Sequence, residues 1–273
     1  MRARFEGVKR GSSREFVYQI LALLVAALLV HTVYATVVRP NAARDIEAQA
    51  LARQMDESAV PERSIFVVVR DLEQEVCFIL LLWALAIIGY KGLAVWQERE
   101  SIAEDLVRVP EGVRILPEDT REYARQIESL PESARDRLVP RCLLAALYRF
   151  AATQNLHEVS ATSHALCDTE GERLESELSM IRYIAWAIPS IGFIGTVRGI
   201  GEALGLAHQA MEGDITGVTA SLGIAFNSTF VALLLSLVLM FVVHQLQLQQ
   251  ERLVLDTETY CDRRLIRHMA VLS

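Results

Sequence analysis

Little in this sequence offers the usual equipment of an enzyme. No glycine-rich phosphate loop, nucleophile elbow or paired catalytic carboxylates can be found, and His157-Glu158 lacks the second histidine of an HExxH zinc site. The four cysteines, Cys77, Cys142, Cys167 and Cys261, are widely spaced and form no CxxC pair. That spacing suggests neither a disulfide framework nor zinc, and they read as reduced bystanders. Lys and Arg nowhere cluster with stacking aromatics, and the net charge is −7, so a nucleic-acid partner is not expected. The expectation is a protein that is not an enzyme and carries no cofactor and no metal.

Charge is also missing from four long stretches. The chain has 273 residues, 52% hydrophobic and 22% charged, and nearly all the charge falls between these apolar runs. Such segregation marks membrane spans. The first run, 16–38, has roughly 23 residues, enough to cross about 30 Å of hydrocarbon at 1.5 Å per residue. Arg2, Arg4, Lys9, Arg10 and Arg14 precede it in the segment 1–15. A cleaved signal peptide is the rival reading, with Ile20 to Val30 as its apolar core and Val33-Tyr34-Ala35 as a cleavage site. The second run, 76–96, carries one charge, Lys91, near enough to its end to snorkel, and ends on Trp96. The third, 183–206, holds Pro189, Gly192, Gly195, Gly199, Gly201 and Gly205; the fourth, 217–247, is the longest and has no charge.

Basic residues flank the first span and recur in the tail as Arg252, Arg263, Arg264 and Arg267, whereas the loop 207–216 has none. The positive-inside rule then predicts both termini in the cytoplasm, 39–75 and 207–216 outside, and 97–182 and 248–273 inside. The inner segments read as helical, because RCLLAALYRFAAT (Arg141 to Thr153) and EGERLESELSM (Glu170 to Met180) repeat apolar residues at helical spacing. The predicted fold class is an all-α integral membrane protein of four transmembrane helices. The third and fourth extend past the membrane into a cytoplasmic bundle.

Two spans carry matched stripes. Pro189, Gly192, Thr196, Gly199 and Ala203 recur every three or four residues, as do Ser221, Ala225, Thr229, Ala232 and Ser236. Counted at 1.5 Å per residue, Thr196 and Thr229 fall at similar depth, within about one turn. Asn227 and Ser228 add polar atoms beside Thr229. Hydroxyls at this depth line water or are satisfied within protein. The competing account is that Ser and Thr bond back to the i−4 carbonyl and glycines let helices pack closely. No Asp or Glu lies at mid-depth in any span, so a proton carrier would have to come from a partner. Asn227-Ser228-Thr229 also matches a glycosylation sequon, which its membrane depth makes moot. His31 and His244, at span ends, read as interfacial polar residues.

IPSIGFIGTVRGIGEAL (Ile188 to Leu204), followed after a short loop by GIAFNSTFVALLL (Gly223 to Leu235), resembles the two pore-helix motifs of the MotA/TolQ/ExbB family. In that family copies of the chain form a pentameric ring around single-span partner helices, and a carboxylate on each partner carries the ion past threonines of the ring. The resemblance implies an inner-membrane motor subunit that passes protons, or sodium ions. It would couple the flow to mechanical work through a partner of the ExbD/TolR/MotB kind that supplies a membrane Asp. Thr196 matches the first family threonine. Thr229 matches the second if AFNSTFVA is aligned as in MotA, whereas an alignment on GIA puts Val231 there. The implied ion pathway is Thr196, Thr229, Ser228 and Asn227, faced by a small stripe of Gly192, Gly199, Ala225, Ala232 and Ser236. Arg198 departs from the family, standing where an aromatic is common, with Glu202 one turn later. The two either neutralise each other or shape the outer ion entrance. The alternative from another class is a non-conducting scaffold or signalling protein.

Overall fold

The computed structural model describes residues 2–55, 64–103, 106–107, 109–110 and 113–271, with side chains from Glu15 onward except at 53, 54 and 103. The side chains of Arg2, Arg4, Lys9, Arg10 and Arg14, and residues 56–63 of the segment 39–75, lie outside that set. Among the described residues there is no strand; Ile115 and Met269 form an isolated parallel bridge.

The helices in chain order are α1 (Arg2–Val33), α2 (Arg39–Met55), α3 (Ile65–Val68), α4 (Leu72–Ala103), α5 (Thr120–Glu128) and α6 (Glu132–Arg135). They continue with α7 (Leu138–Thr153), α8 (Leu156–Glu177), α9 (Ser179–Gly205), α10 (Ala207–Met211) and α11 (Thr216–Arg264). The chain divides into two compact units, one of Met1–Ile88 with Met180–Val243, the other of Gly89–Ser179 with His244–Ser273.

In the first unit α1 does not stop at the end of the first apolar run. It widens into a π-helical turn at Tyr34–Val38 and continues as α2. The widening falls directly before Pro40, which has no N–H for the Thr36 carbonyl, and the Arg39 N–H reaches back to the Tyr34 carbonyl instead. Similarly, the long third helix is interrupted once, at Leu178, between α8 and α9. A left-handed Gly213 (φ 99°) ends the connection after α10, and the Asp214 carboxylate caps α11 by accepting from the Thr216 N–H at 3.0 Å.

Helical stretches long and apolar enough to cross a membrane run over Glu15–Ala52, Leu72–Ile102, Leu156–Gly205 and Thr216–His268. Their side chains are inverted relative to a water-soluble bundle. Leu28 is 72% exposed and Leu237 71%, while Ser228 and Gln74 are 1% exposed. At 49 residues α11 is about 74 Å long, far more than a hydrocarbon core, so part of it must stand outside the bilayer. The chain is an all-α, multi-pass membrane protein.

The second unit has an apolar core of the water-soluble kind. Leu143, Leu147 and Phe150 of α7 pack with Val159 of α8 and Leu265, all fully buried. Three of the cysteines read as unrelated bystanders meet here. The Cys142 sulfur lies 2.9 Å from the Ser163 hydroxyl and is held below the ordinary thiol range by hydrogen bonds from Cys167 and then Cys261. All four cysteines are free and buried, and no His/Cys/Asp/Glu cluster able to hold a metal occurs among the described residues. The Lys91 ammonium is buried in this unit and pairs with Glu177 at 2.9 Å.

Candidate functional site: the α9–α11 seam

The small stripes of α9 and α11 face each other and are buried. Gly192, Gly195 and Gly199 meet Ala225, Ser228 and Ala232 so closely that a Cβ on Gly199 would lie 2.8 Å from the Ser221 carbonyl oxygen and 2.9 Å from the Ala225 nitrogen. Such an approach is available only without side chains. Gly192, Gly199, Ala225 and Ala232, expected to face a pore, therefore lie in the helix contact of a single chain.

The seam is stitched by hydroxyls. Thr196 and Thr229 hydrogen-bond to each other, bringing together the two threonines that sequence depth placed level. Thr196 Oγ1 also lies 3.0 Å from the Ala225 carbonyl, and Thr229 Oγ1 lies 3.2 Å from the Gly192 carbonyl. Each hydroxyl has one proton, so the pair can be ordered in two directions. Either Thr196 donates to Thr229, which donates to Gly192, or Thr229 donates to Thr196, which donates to Ala225 at 3.0 Å or to Gly192 at 3.3 Å. Exchanging them needs rotation of two O–H bonds and no heavy-atom movement. Both threonines are half-buried at the rim of the seam.

A third stitch repairs the helix. Pro189 has no N–H for the Ala185 carbonyl one turn back, and Ser236 of α11 donates to that carbonyl at 3.0 Å. Close by, the Cys77 thiol donates to the Ile188 carbonyl at 3.6 Å.

Ser228 and Asn227 are not with the threonines. Successive helical residues turn by about 100°, and Ser228 is buried against Gly195, where an added Cβ would lie 2.6 Å from the Ser228 Cβ. Its hydroxyl has no partner among the described residues. Asn227 lies half-buried one step further round.

Arg198 and Glu202 are paired, guanidinium to carboxylate, at 2.9 Å. Sequence reading missed the stronger partner. Arg198 also forks onto Glu73, with Nε to Oε1 at 2.7 Å and Nη2 to Oε2 at 3.0 Å, a bidentate geometry typical of strong pairs. Glu73 is 125 residues away in the chain and fell in the segment 39–75, so no local pattern could reveal it. A second buried carboxylate, Glu75, pairs with Arg39 at 2.5 Å and His31 Nδ1 at 2.7 Å.

These features define a class: a multi-pass helical membrane protein in which two spans meet along small-residue stripes and are joined by hydroxyls. Residues 134–259, somewhat under half of the chain, match the family model of the MotA/TolQ/ExbB proton channel family. The match covers α7, α8, α9 and most of α11, hence the whole seam. Family members are channel and transport subunits rather than enzymes. No curated protein and no solved structure gives a significant match.

Proposed function

We propose that the chain is the ring-forming subunit of an inner-membrane ion-conducting motor complex, with protons, or sodium ions, as the driving ion. The observation that carries this reading is the Thr196–Thr229 hydroxyl pair at the rim of a seam otherwise closed by glycine and alanine. It can hand on a hydrogen bond in either direction yet does not titrate near neutral pH. The wall it forms needs a carboxylate from elsewhere, which fits a homopentamer around a single-span partner of the ExbD/TolR/MotB kind that brings a membrane Asp. In this reading both termini are cytoplasmic, the second unit is the cytoplasmic bundle, and ion flow is converted to force on the partner.

Thr196→Val keeps the side chain's shape and removes the hydroxyl. It should abolish ion flux, and the process that flux drives, while the complex still assembles and co-purifies with its partner. Undiminished flux in an assembled Thr196→Val complex would overturn the proposal.

One observation favours the alternative, a non-conducting scaffold: the seam hydroxyls of Thr196, Thr229 and Ser236 find acceptors in the Ala225, Gly192 and Ala185 carbonyls, which by themselves account for their presence. A scaffold tolerates Thr229→Val with its function intact; a conductor does not.

A further inference from the structure

The second unit contains a cavity that neither the threonine seam nor the apolar core accounts for. It opens between α8 and α11 and has a volume of about 330 Å³, at the lower end of the range in which proteins hold small molecules. Leu174 of α8 and Val254 of α11 give it apolar walls. Gly171 gives it width, because a Cβ on that glycine would meet nothing within 4 Å. Gln250 is the fully buried member of the lining, 4% exposed, whereas Glu175 and Glu251 stand exposed at the rim.

Gln250 is out of place in such a setting. Its amide nitrogen and its amide oxygen are both buried, and neither has a hydrogen-bond partner among the described residues. Its neighbour in the lining, Gln247, donates to the Glu251 carboxylate at 2.9 Å. A buried amide without partners is costly, and a leucine of similar volume would avoid that cost. Glutamine at 250 therefore calls for an occupant that pairs with it. A carboxamide offers an acceptor oxygen beside two N–H donors, so its complement presents a donor and an acceptor side by side, as a second carboxamide does. Among the described residues the charged members of the lining are Glu175 and Glu251, and two carboxylates at the rim disfavour an anion.

We propose that the α8–α11 cavity binds a small uncharged molecule with an apolar body and a carboxamide edge, and that Gln250 recognises the amide. Leu174 and Val254 receive the body, and the acidic rim turns away the corresponding carboxylate. Occupancy braces α8 against α11 within the second unit. The site is distinct from the threonine pair and does not depend on ion passage through the seam.

Benzamide is the probe, and benzoate, of the same shape but negatively charged, is its control. Saturation-transfer NMR on the purified full-length protein should show saturable binding of benzamide and none of benzoate. Gln250→Leu keeps the volume and removes the amide. It should weaken benzamide binding about tenfold, the loss expected for one or two hydrogen bonds, while the thermal midpoint holds or rises because no buried amide is left unpaired. Gly171→Leu places a side chain in the free space and should abolish binding with the midpoint preserved. Thr196→Val should leave binding unchanged, which separates this test from that of ion conduction. Benzamide binding that does not saturate, or that persists undiminished in both cavity variants, would mean that the cavity holds water alone and would overturn the proposal. So would benzoate bound as tightly as benzamide, or a lower midpoint for Gln250→Leu, since the amide would then be paired within the fold. A change of oligomeric state on Gly171→Leu, read by light scattering, would overturn it as well by showing the cavity to be a contact between copies of the chain.

Discussion

The two units solve the packing of helices in opposite ways. In the second, α7, α8 and the end of α11 meet through large side chains, with Leu143, Leu147 and Phe150 fully buried and three sulfurs filling the gaps between them. In the first, α9 and α11 meet through glycine and alanine, and the large residues Phe193, Phe226, Phe230 and Leu237 point outward, each more than 60% exposed. Water makes the first solution favourable, since burying apolar area is worth roughly 25 cal/mol per Å². Lipid removes that reward, because hydrocarbon is as good a neighbour for leucine as protein is. What remains is close backbone approach and hydrogen bonding. The units therefore record two solvents in one chain, and substitutions should hurt them with opposite signs: removed volume in one, added volume in the other.

The largest effect should come from removing volume in the second unit. Phe150→Ala takes out the largest fully buried side chain and should cost about 3–5 kcal/mol, read as a lowered midpoint of chemical unfolding in detergent. The seam should respond to added volume. Gly199→Ala drives a Cβ against the Ser221 carbonyl and the Ala225 nitrogen, which are backbone and cannot rotate away, so the helices must separate at a cost of about 1–3 kcal/mol. Two residues along, Gly201 has nothing within 4 Å of where its Cβ would be. There the same substitution should stabilise α9 by about 0.5–1 kcal/mol through helix propensity. If Gly199→Ala and Gly201→Ala behave alike in the unfolding assay, glycine packing is not what holds the seam.

What could be read in advance follows the same division. Periodicity and the clustering of charge exposed four apolar helices, and counting residues along two of them put Thr196 and Thr229 at one level, where the structure joins them. Helical rotation was also available and would have separated Ser228 from Thr229, since neighbours about 100° apart cannot share a narrow rim. Pairing between distant segments was not legible. Glu73 reaches Arg198, Cys142 gathers Cys167 and Cys261, and Lys91 finds Glu177 only after the helices pack. Nothing in the local sequence of these residues differs from that of solvated charges or isolated thiols. The π-helical turn lay hidden because Pro40 reads equally well as a stop.

The smallest effect isolates a single hydrogen bond in the lipid-type seam. Ser236→Ala leaves the Ala185 carbonyl without a donor in a helix where Pro189 offers none. The cost should be about 1 kcal/mol, the usual size for one interhelical bond between membrane spans. That number alone would not prove the repair, because Ser236→Ala also alters packing against α9. Pro189→Ala supplies the missing test. Alanine at 189 restores an N–H that can satisfy Ala185 from within α9, so Ser236 becomes dispensable and its substitution should cost close to nothing in that background. A coupling of about 1 kcal/mol between positions 189 and 236 in unfolding of the double mutant would show that α11 mends the proline break. Strict additivity would show instead that water or a neighbouring chain satisfies Ala185, and that the seam is held by glycine contact alone.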